Sequence, residues 1–169
     1  MLDPWKRYWR LDPEKISWKL SMYLVMASQE TEPLFTSNYR ALCRDFGTKP
    51  RITSSQRKFI LYEILCIKHS IAIRTLPNSL KDLFDVEEKV ERITAGLYNL
   101  LDSYLESYRF RGIFNKFTVK LNSTETIKKY LEVASDNSGD EIILFANSIA
   151  RHFVQPAGAY LLMQNYALT

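Results

Sequence analysis

The sequence predicts an all-α protein, a single-domain bundle of about six or seven helices. Three observations lead to this prediction. Over most of the chain, apolar residues recur at intervals of three and four, the period of one face of a helix. The chain has only five glycines in 169 residues, few for a fold rich in hairpins. One stretch, at about residues 54–76, is apolar around most of its circumference and predicts a central helix with neighbours on several sides.

The core of this stretch runs from Gln56 to Leu76. At 100° per residue, its polar side chains fall on one narrow stripe and its apolar side chains cover most of the rest. Charged residues interrupt the apolar run before it reaches the roughly 20 residues that a membrane span needs. We therefore expect no transmembrane insertion. The polar stripe consists of Gln56, Glu63, Ser70 and Arg74.

Length and cysteine content favour one reduced, cytoplasmic domain covering residues 1–169. A chain of this size can bury a core without disulfides or a structural metal. The two cysteines are Cys43 and Cys66, and Cys66 lies inside the apolar stretch, as a buried thiol would. The N-terminus has charges where a signal peptide has its apolar region. A net charge of +4 permits a nucleic-acid or anionic-lipid partner without requiring one.

Residues 1–11 form a possible aromatic and basic N-terminal arm. Asp3-Pro4 and Asp12-Pro13 each combine a capping side chain with a proline at the first helical position, so they predict two helix starts. Tryptophan, tyrosine and arginine are favoured at protein interfaces, which makes the arm a candidate partner-binding surface. In the alternative interpretation, its rings fold back and cap the bundle. The candidate binding residues are Trp5, Tyr8, Trp9 and Arg10.

Two helices are predicted between the arm and the central helix. The first runs from about Asp12 to Gln29 and ends at Glu32-Pro33, because proline disrupts a helix interior. The second runs from about Ser37 to Phe46 and is closed by Gly47. Core spacing in the first helix predicts buried Ile16, Leu20, Tyr23, Leu24 and Ala27.

The densest positive charge lies between Arg40 and Lys58 and is a weak candidate for nucleic-acid binding. A helix-turn-helix reader is disfavoured, because the intervening loop is longer than its usual turn and the would-be recognition helix is needed for the core. A solvated basic loop is the alternative. The candidate phosphate contacts are Arg40, Arg44, Lys49 and Arg51.

A long partner helix is predicted at about residues 85–117, packed beside the central helix. Its apolar row alternates steps of four and three, and its early acidic and late basic residues suit the helix dipole. Aromatic and cationic residues alternate between Tyr108 and Lys120, either as part of the core or as a surface for a partner. The candidate partner-binding residues there are Arg109, Phe110, Phe114 and Lys116.

The remaining sequence predicts three shorter helices. Asn122 and Glu125 resemble a capping pair and start a helix that runs to about Ser135. Asp140 caps the next helix, which stops at Pro156. The tail after this proline is consistent with a last short helix.

Enzymatic motifs are scarce in this chain. The sequence has two histidines, no phosphate-binding glycine motif and no nucleophile motif, so we expect no metal site and no cofactor. The best catalytic candidates are weak ones. Glu63 lies between apolar residues of the central helix, and we expect it to be buried and paired with a cation. It would act with residues of the late helix, namely Asn147, Arg151 and His152.

The leading functional hypothesis is a non-enzymatic interaction or regulatory module that binds another macromolecule through aromatic and basic surfaces. A protein partner or self-association is favoured over nucleic acid. An apolar small-molecule sensor with a cavity in the bundle is the alternative, since phenylalanine, tyrosine and methionine are common in the chain. An enzyme that uses Glu63 and His152 is the third hypothesis.

Overall fold

Five α-helices make up all the regular secondary structure that the computed structural model describes. The described residues are 12–45, 47, 49, 52–82, 85–107, 122–134 and 140–152, without the side chains of residues 42 and 150–152. The all-α prediction is confirmed for this part of the chain. In order, the helices are α1 (Pro13–Asp45), α2 (Ser54–Ser79), α3 (Val86–Ser107), α4 (Ser123–Ala134) and α5 (Asp140–His152).

The predicted number of six or seven helices is not confirmed by the described residues. One reason is that two predicted helices form the single helix α1. The other predicted helices lie in residues 1–11 and 153–169, outside the described residues. The predicted partner helix at about 85–117 is described from Val86 to Ser107, and residues 108–121 again lie outside the described part.

The predicted break at Glu32-Pro33 is wrong, because α1 continues through it. A proline in a helix interior removes one backbone hydrogen bond and costs about 3 kcal/mol. Beyond it, Thr36 Oγ1 donates to Glu32 Oε1 at 2.8 Å. Tyr39 and Cys43 are buried against the core one and two turns further on. This packing outweighs the cost of the proline, so tertiary contacts decide the course of α1.

Helix α2 contacts each of the other four helices. It begins with a reciprocal cap in which Gln56 N donates to Thr53 Oγ1 at 3.2 Å and Thr53 N donates to Gln56 Oε1 at 2.8 Å. This cap gives hydrogen-bond acceptors to two backbone N–H groups that have no partner within the helix. The helix also passes Pro77, where the sequence predicted its end, and finishes at Ser79.

Small residues bring α1 and α3 close together. Ser17 Oγ donates to Pro13 O at 2.8 Å and to Ile93 O at 3.3 Å, so it links the two helices. A Cβ atom on Gly96 would overlap with Ser17 Oγ. Gly96 therefore sets the distance between α1 and α3, and substitution by a larger residue would force them apart.

Two apolar clusters fill the described bundle. The larger surrounds α2 and takes residues from all five helices, including Tyr39, Leu65, Leu101, Ile127 and Ile149. The smaller lies between α1, the end of α2 and the start of α3, and comprises Ile16, Leu24, Leu76, Leu80, Ile93 and Leu97.

The starts of the later helices follow their predicted caps. Glu125 N donates to Asn122 Oδ1 at 3.3 Å, which confirms Asn122 as the cap of α4. Helix α5 starts at Asp140, as predicted. Among the described residues, no helix is both long enough and apolar enough to cross a membrane.

Candidate functional site

The first candidate site is a buried polar cluster inside the bundle, the Glu63 cluster, formed by Glu63, Tyr62 and Cys66 on α2, Tyr130 on α4 and Ser148 on α5. The side chain of Glu63 is 4 % exposed, so its expected burial is confirmed. The expected partner was a cation, but the hydrogen bond comes from Tyr130, whose hydroxyl donates to Glu63 Oε2 at 2.5 Å. A phenol can supply this bond without bringing a second charge into the core.

Burial raises the pKa of Glu63 to about 7, although the hydrogen bond from Tyr130 and the positive charge of Lys129 act in the opposite direction. Glu63 therefore titrates near neutral pH. The same burial, with the Glu63 carboxylate next to it, raises the pKa of Tyr130 far above its usual range, so its hydroxyl remains a donor. Ser148 lies within hydrogen-bond reach of the Tyr130 hydroxyl and lowers that pKa slightly. The cluster thus joins α2, α4 and α5.

The other two α2 residues of the Glu63 cluster, Tyr62 and Cys66, are chemically unreactive. The Tyr62 hydroxyl lies 2.8 Å from Thr126 Oγ1, and this pair makes a second link between α2 and α4. Burial raises the pKa of the Cys66 thiol well above its usual value, and the charge of Glu63 adds to the effect. A thiol held in its protonated form is a poor nucleophile and a poor metal ligand. Cys66 therefore acts as a small core residue.

His69 lies on the same helix and is completely buried. Its Nδ1 is 2.7 Å from Leu65 O, a contact that makes Nδ1 the protonated nitrogen. Within the described residues, the buried Nε2 has no hydrogen-bond partner. Burial lowers the pKa of His69 to about 4, so the ring is neutral at physiological pH. No group of three or more potential ligands that could hold a metal occurs in the described part of the chain.

The geometry favours a structural role for the Glu63 cluster over catalysis. A general acid or base must reach the proton that it transfers, and the Glu63 carboxyl is enclosed by core residues. Asn147 lies half-buried on α5. Arg151 and His152 are the end of α5, and their side chains lie outside the described residues, so the convergence of Glu63 with His152 stays a prediction.

The positive charge between Arg40 and Lys58 is partly neutralised by the carboxylate of Glu32 on α1. Arg57 makes two hydrogen bonds to Glu32, with Nε to Oε1 at 2.8 Å and Nη2 to Oε2 at 2.9 Å. Burial raises the pKa of Glu32, but the hydrogen bonds from Arg57 and Thr36, with the positive charges of Arg57 and Arg40, more than offset this and hold the pKa below its usual range. Arg40, Arg44 and Lys49 remain exposed to solvent. Arg51 lies outside the described residues.

The second candidate site is the outer face of α1, defined as Trp18, Met22, Tyr23 and Met26. These side chains are 55 %, 44 %, 68 % and 56 % exposed. Tyr23 was predicted to lie in the core and is the most exposed of the four, so that prediction is wrong. The inward side of the same helix is rich in small polar residues instead, and Ser17, Ser21, Ser28 and Thr36 are all buried.

A sequence signal for the outer face exists, although the prediction missed it. Trp18, Met22 and Met26 recur every four residues, the spacing of one helical face. Ile16, Leu20 and Leu24 form a competing apolar row, and the core spacing was assigned to that row with Tyr23 added. The hydrogen bond from Ser17 to Ile93 O on α3, together with the burial of Ile16 and Leu24, shows which row faces inward.

The predicted partner-binding residues all fall outside the described residues, so neither surface is tested. They are Trp5, Tyr8, Trp9, Arg10, Arg109, Phe110, Phe114 and Lys116. No protein-family model matches this chain, and no significant match was found among curated proteins or solved structures.

Proposed function

We propose that this protein is a non-enzymatic interaction module and that it docks a protein partner on the outer face of α1. The observation that supports this proposal is the exposure of four large side chains on one side of α1, while its opposite side buries Ile16, Leu24 and several small polar residues against the bundle. Folding of the described bundle does not require the exposed side chains, because α1 packs on α2 and α3 through its other face. Association with a partner would bury them.

The composition of the outer face suits a docking surface. Monomeric proteins rarely expose large contiguous apolar patches, and those that they do expose are often functional. Tryptophan, tyrosine and methionine are enriched in the cores of protein interfaces. The exposed Lys15 and Lys19 flank Trp18, so the part of the outer face around Trp18 is aromatic and basic, as in the leading hypothesis.

In this proposal, the bundle around α2 is a scaffold for the docking surface. We place α2 at the centre of a bundle of six or seven helices, with the additional helices supplied by residues 1–11 and 153–169. Cys43 and Cys66 are both buried and form no disulfide, which is compatible with a reducing compartment such as the cytoplasm.

Thiol labelling in the full-length chain tests whether the outer face is open. The native cysteines are both buried, so they give a slow background. Met22→Cys should react with a maleimide within about tenfold of the rate of a free peptide thiol, at a protein concentration of about 1 μM. Ser21→Cys is the matched control, because Ser21 is the adjacent residue and is buried.

Equally slow labelling of Met22→Cys and Ser21→Cys would show that another part of the chain covers the outer face. The N-terminal arm, residues 1–11, would be the first segment to delete in that case. Such a result would contradict the proposal, since a face covered within the monomer cannot dock a partner.

A further inference from the structure

We infer that the partner on the outer face is a second copy of this chain, bound antiparallel about a two-fold axis near Met22. This inference rests on the proposed function, because it needs the outer face to be open. Its basis is the symmetry of the face about that residue. Trp18 and Met26 each lie four residues from Met22, and Tyr23 lies beside it.

The flanking charges follow the same symmetry with opposite signs. Lys15 lies seven residues before Met22 and Glu30 lies eight residues after it, and both are exposed. At 100° per residue, both positions fall on the side of α1 that carries the outer face. Neither side chain has an ion-pair partner within the described part of the chain.

In a two-fold symmetric dimer, the contact between Lys15 and Glu30 forms twice. With the two copies of α1 antiparallel, Lys15 of each copy lies opposite Glu30 of the other. The two positions differ by one residue from perfect symmetry, which is a helical rise of about 1.5 Å and is within the reach of these long side chains. A parallel pair would bring Lys15 against its own copy, so the charge pattern selects the antiparallel arrangement.

The apolar area of the outer face suits a weak and reversible dimer. Large side chains bury about 150–250 Å² each when fully covered, so four that are half-exposed offer on the order of 500 Å² per copy. The resulting total of about 1,000 Å² lies at the low end of specific interfaces. We therefore expect a dissociation constant in the micromolar range, on the order of 10 μM.

Sedimentation equilibrium of the full-length chain from about 1 to about 500 μM tests the inference at physiological salt. The wild type should pass from monomer to dimer across this range. Met22→Asp places a charge at the two-fold axis and should weaken the dimer at least about 100-fold. The matched control is Ile142→Asp, which changes a side chain on α5 that is 41 % exposed and should leave the dimer unchanged.

Charge reversal tests the antiparallel arrangement. Lys15→Glu and Glu30→Lys should each weaken the dimer about tenfold, because each creates two like-charge contacts across the axis. The double variant K15E/E30K restores opposite charges and should return to within about threefold of the wild type. A charge effect on general solubility would not be reversed in this way.

Three results would overturn the inference. They are a wild-type chain that stays monomeric at about 500 μM, a dimer that Met22→Asp leaves intact, and a double variant that does not recover. A monomer whose Met22→Cys variant labels rapidly would overturn only the self-association and leave the docking face for another partner. Slow labelling of Met22→Cys at about 1 μM would overturn both proposals.

Discussion

The outer face of α1 and the Glu63 cluster both depart from the usual placement of side chains. Large apolar side chains lie on the surface in the first, and polar side chains lie in the core in the second. The outer face exposes a tryptophan, a tyrosine and two methionines, whereas the cluster buries a carboxyl, two phenols and a thiol. Burial of a large apolar side chain contributes about 1.5–3 kcal/mol, and burial of a polar group without a partner costs a similar amount or more.

The difference shows how a bundle can separate folding from binding. Tyr130 donates to Glu63, and Ser148 lies within hydrogen-bond reach of the Tyr130 hydroxyl, so the buried carboxyl and phenol have partners and the cluster links three helices. On α1, Ser17 holds the helix close to α3, and the large side chains of the outer face stay exposed. Changes in the cluster should therefore affect unfolding, and changes on the outer face should affect association.

Tyr130 should show the largest effect on stability. Its ring is 1 % exposed, and its hydroxyl is the hydrogen-bond donor to Glu63. Tyr130→Ala should lower the free energy of unfolding by on the order of 4 kcal/mol, because it creates a cavity and leaves Glu63 without its donor. Tyr130→Phe keeps the ring and should cost about 1–3 kcal/mol. Urea denaturation measures both, and a Tyr130→Phe variant as stable as the wild type would contradict the role of the hydroxyl.

The pH dependence of stability gives the next largest effect. Glu63 has a pKa of about 7 in the fold, against an ordinary value of 4.5. Between these values the folded chain holds a proton that the unfolded chain has lost, so stability falls as the pH rises from 4.5 to 7. Glu63→Gln removes this fall and keeps an acceptor for Tyr130. The variant should be more stable than the wild type at about pH 8, by up to about 3 kcal/mol.

His69 makes the opposite contribution and serves as an internal check on the same measurement. Its pKa falls from 6.5 to about 4, so stability is lost as the pH falls below 6.5. The two slopes oppose each other between about pH 4.5 and 6.5 in the wild type. In Glu63→Gln, stability should therefore rise with pH across this window. A profile parallel to that of the wild type would show that folding does not raise the pKa of Glu63.

The sequence allowed the helical class and several helix starts to be predicted, because their causes are local. Asn122 and Asp140 lie within one turn of the helices that they begin. The burial of Glu63 also followed from its apolar neighbours along the helix. Its partner could not be found in this way, since Tyr130 lies 67 residues further along the chain and no sequence pattern joins the two.

The errors in the prediction arose where tertiary packing overrides a local rule. Pro33 carries the usual signal for a helix end, but the buried Tyr39 and Cys43 hold the following turns on the core. Tyr23 lies at an acceptable core spacing, but the inward side of α1 is chosen by its fit to Gly96. Which side of α1 faces inward therefore depends on the shape of α3, and the hydrophobic periodicity of α1 does not encode that shape.

The smallest effect on stability should come from Trp18, and it gives the sharpest contrast with Tyr130. Both are large aromatic residues, but Trp18 is 55 % exposed. Trp18→Ala should lower the free energy of unfolding of the monomer by only about 1–2 kcal/mol, because about half of the residue stays exposed on folding and alanine favours a helix. The urea midpoint at about 1 μM protein measures this, at a concentration where the proposed dimer is largely dissociated. A loss of about 3 kcal/mol or more would mean that Trp18 is packed against its own chain, and the separation of folding from binding on α1 would fail.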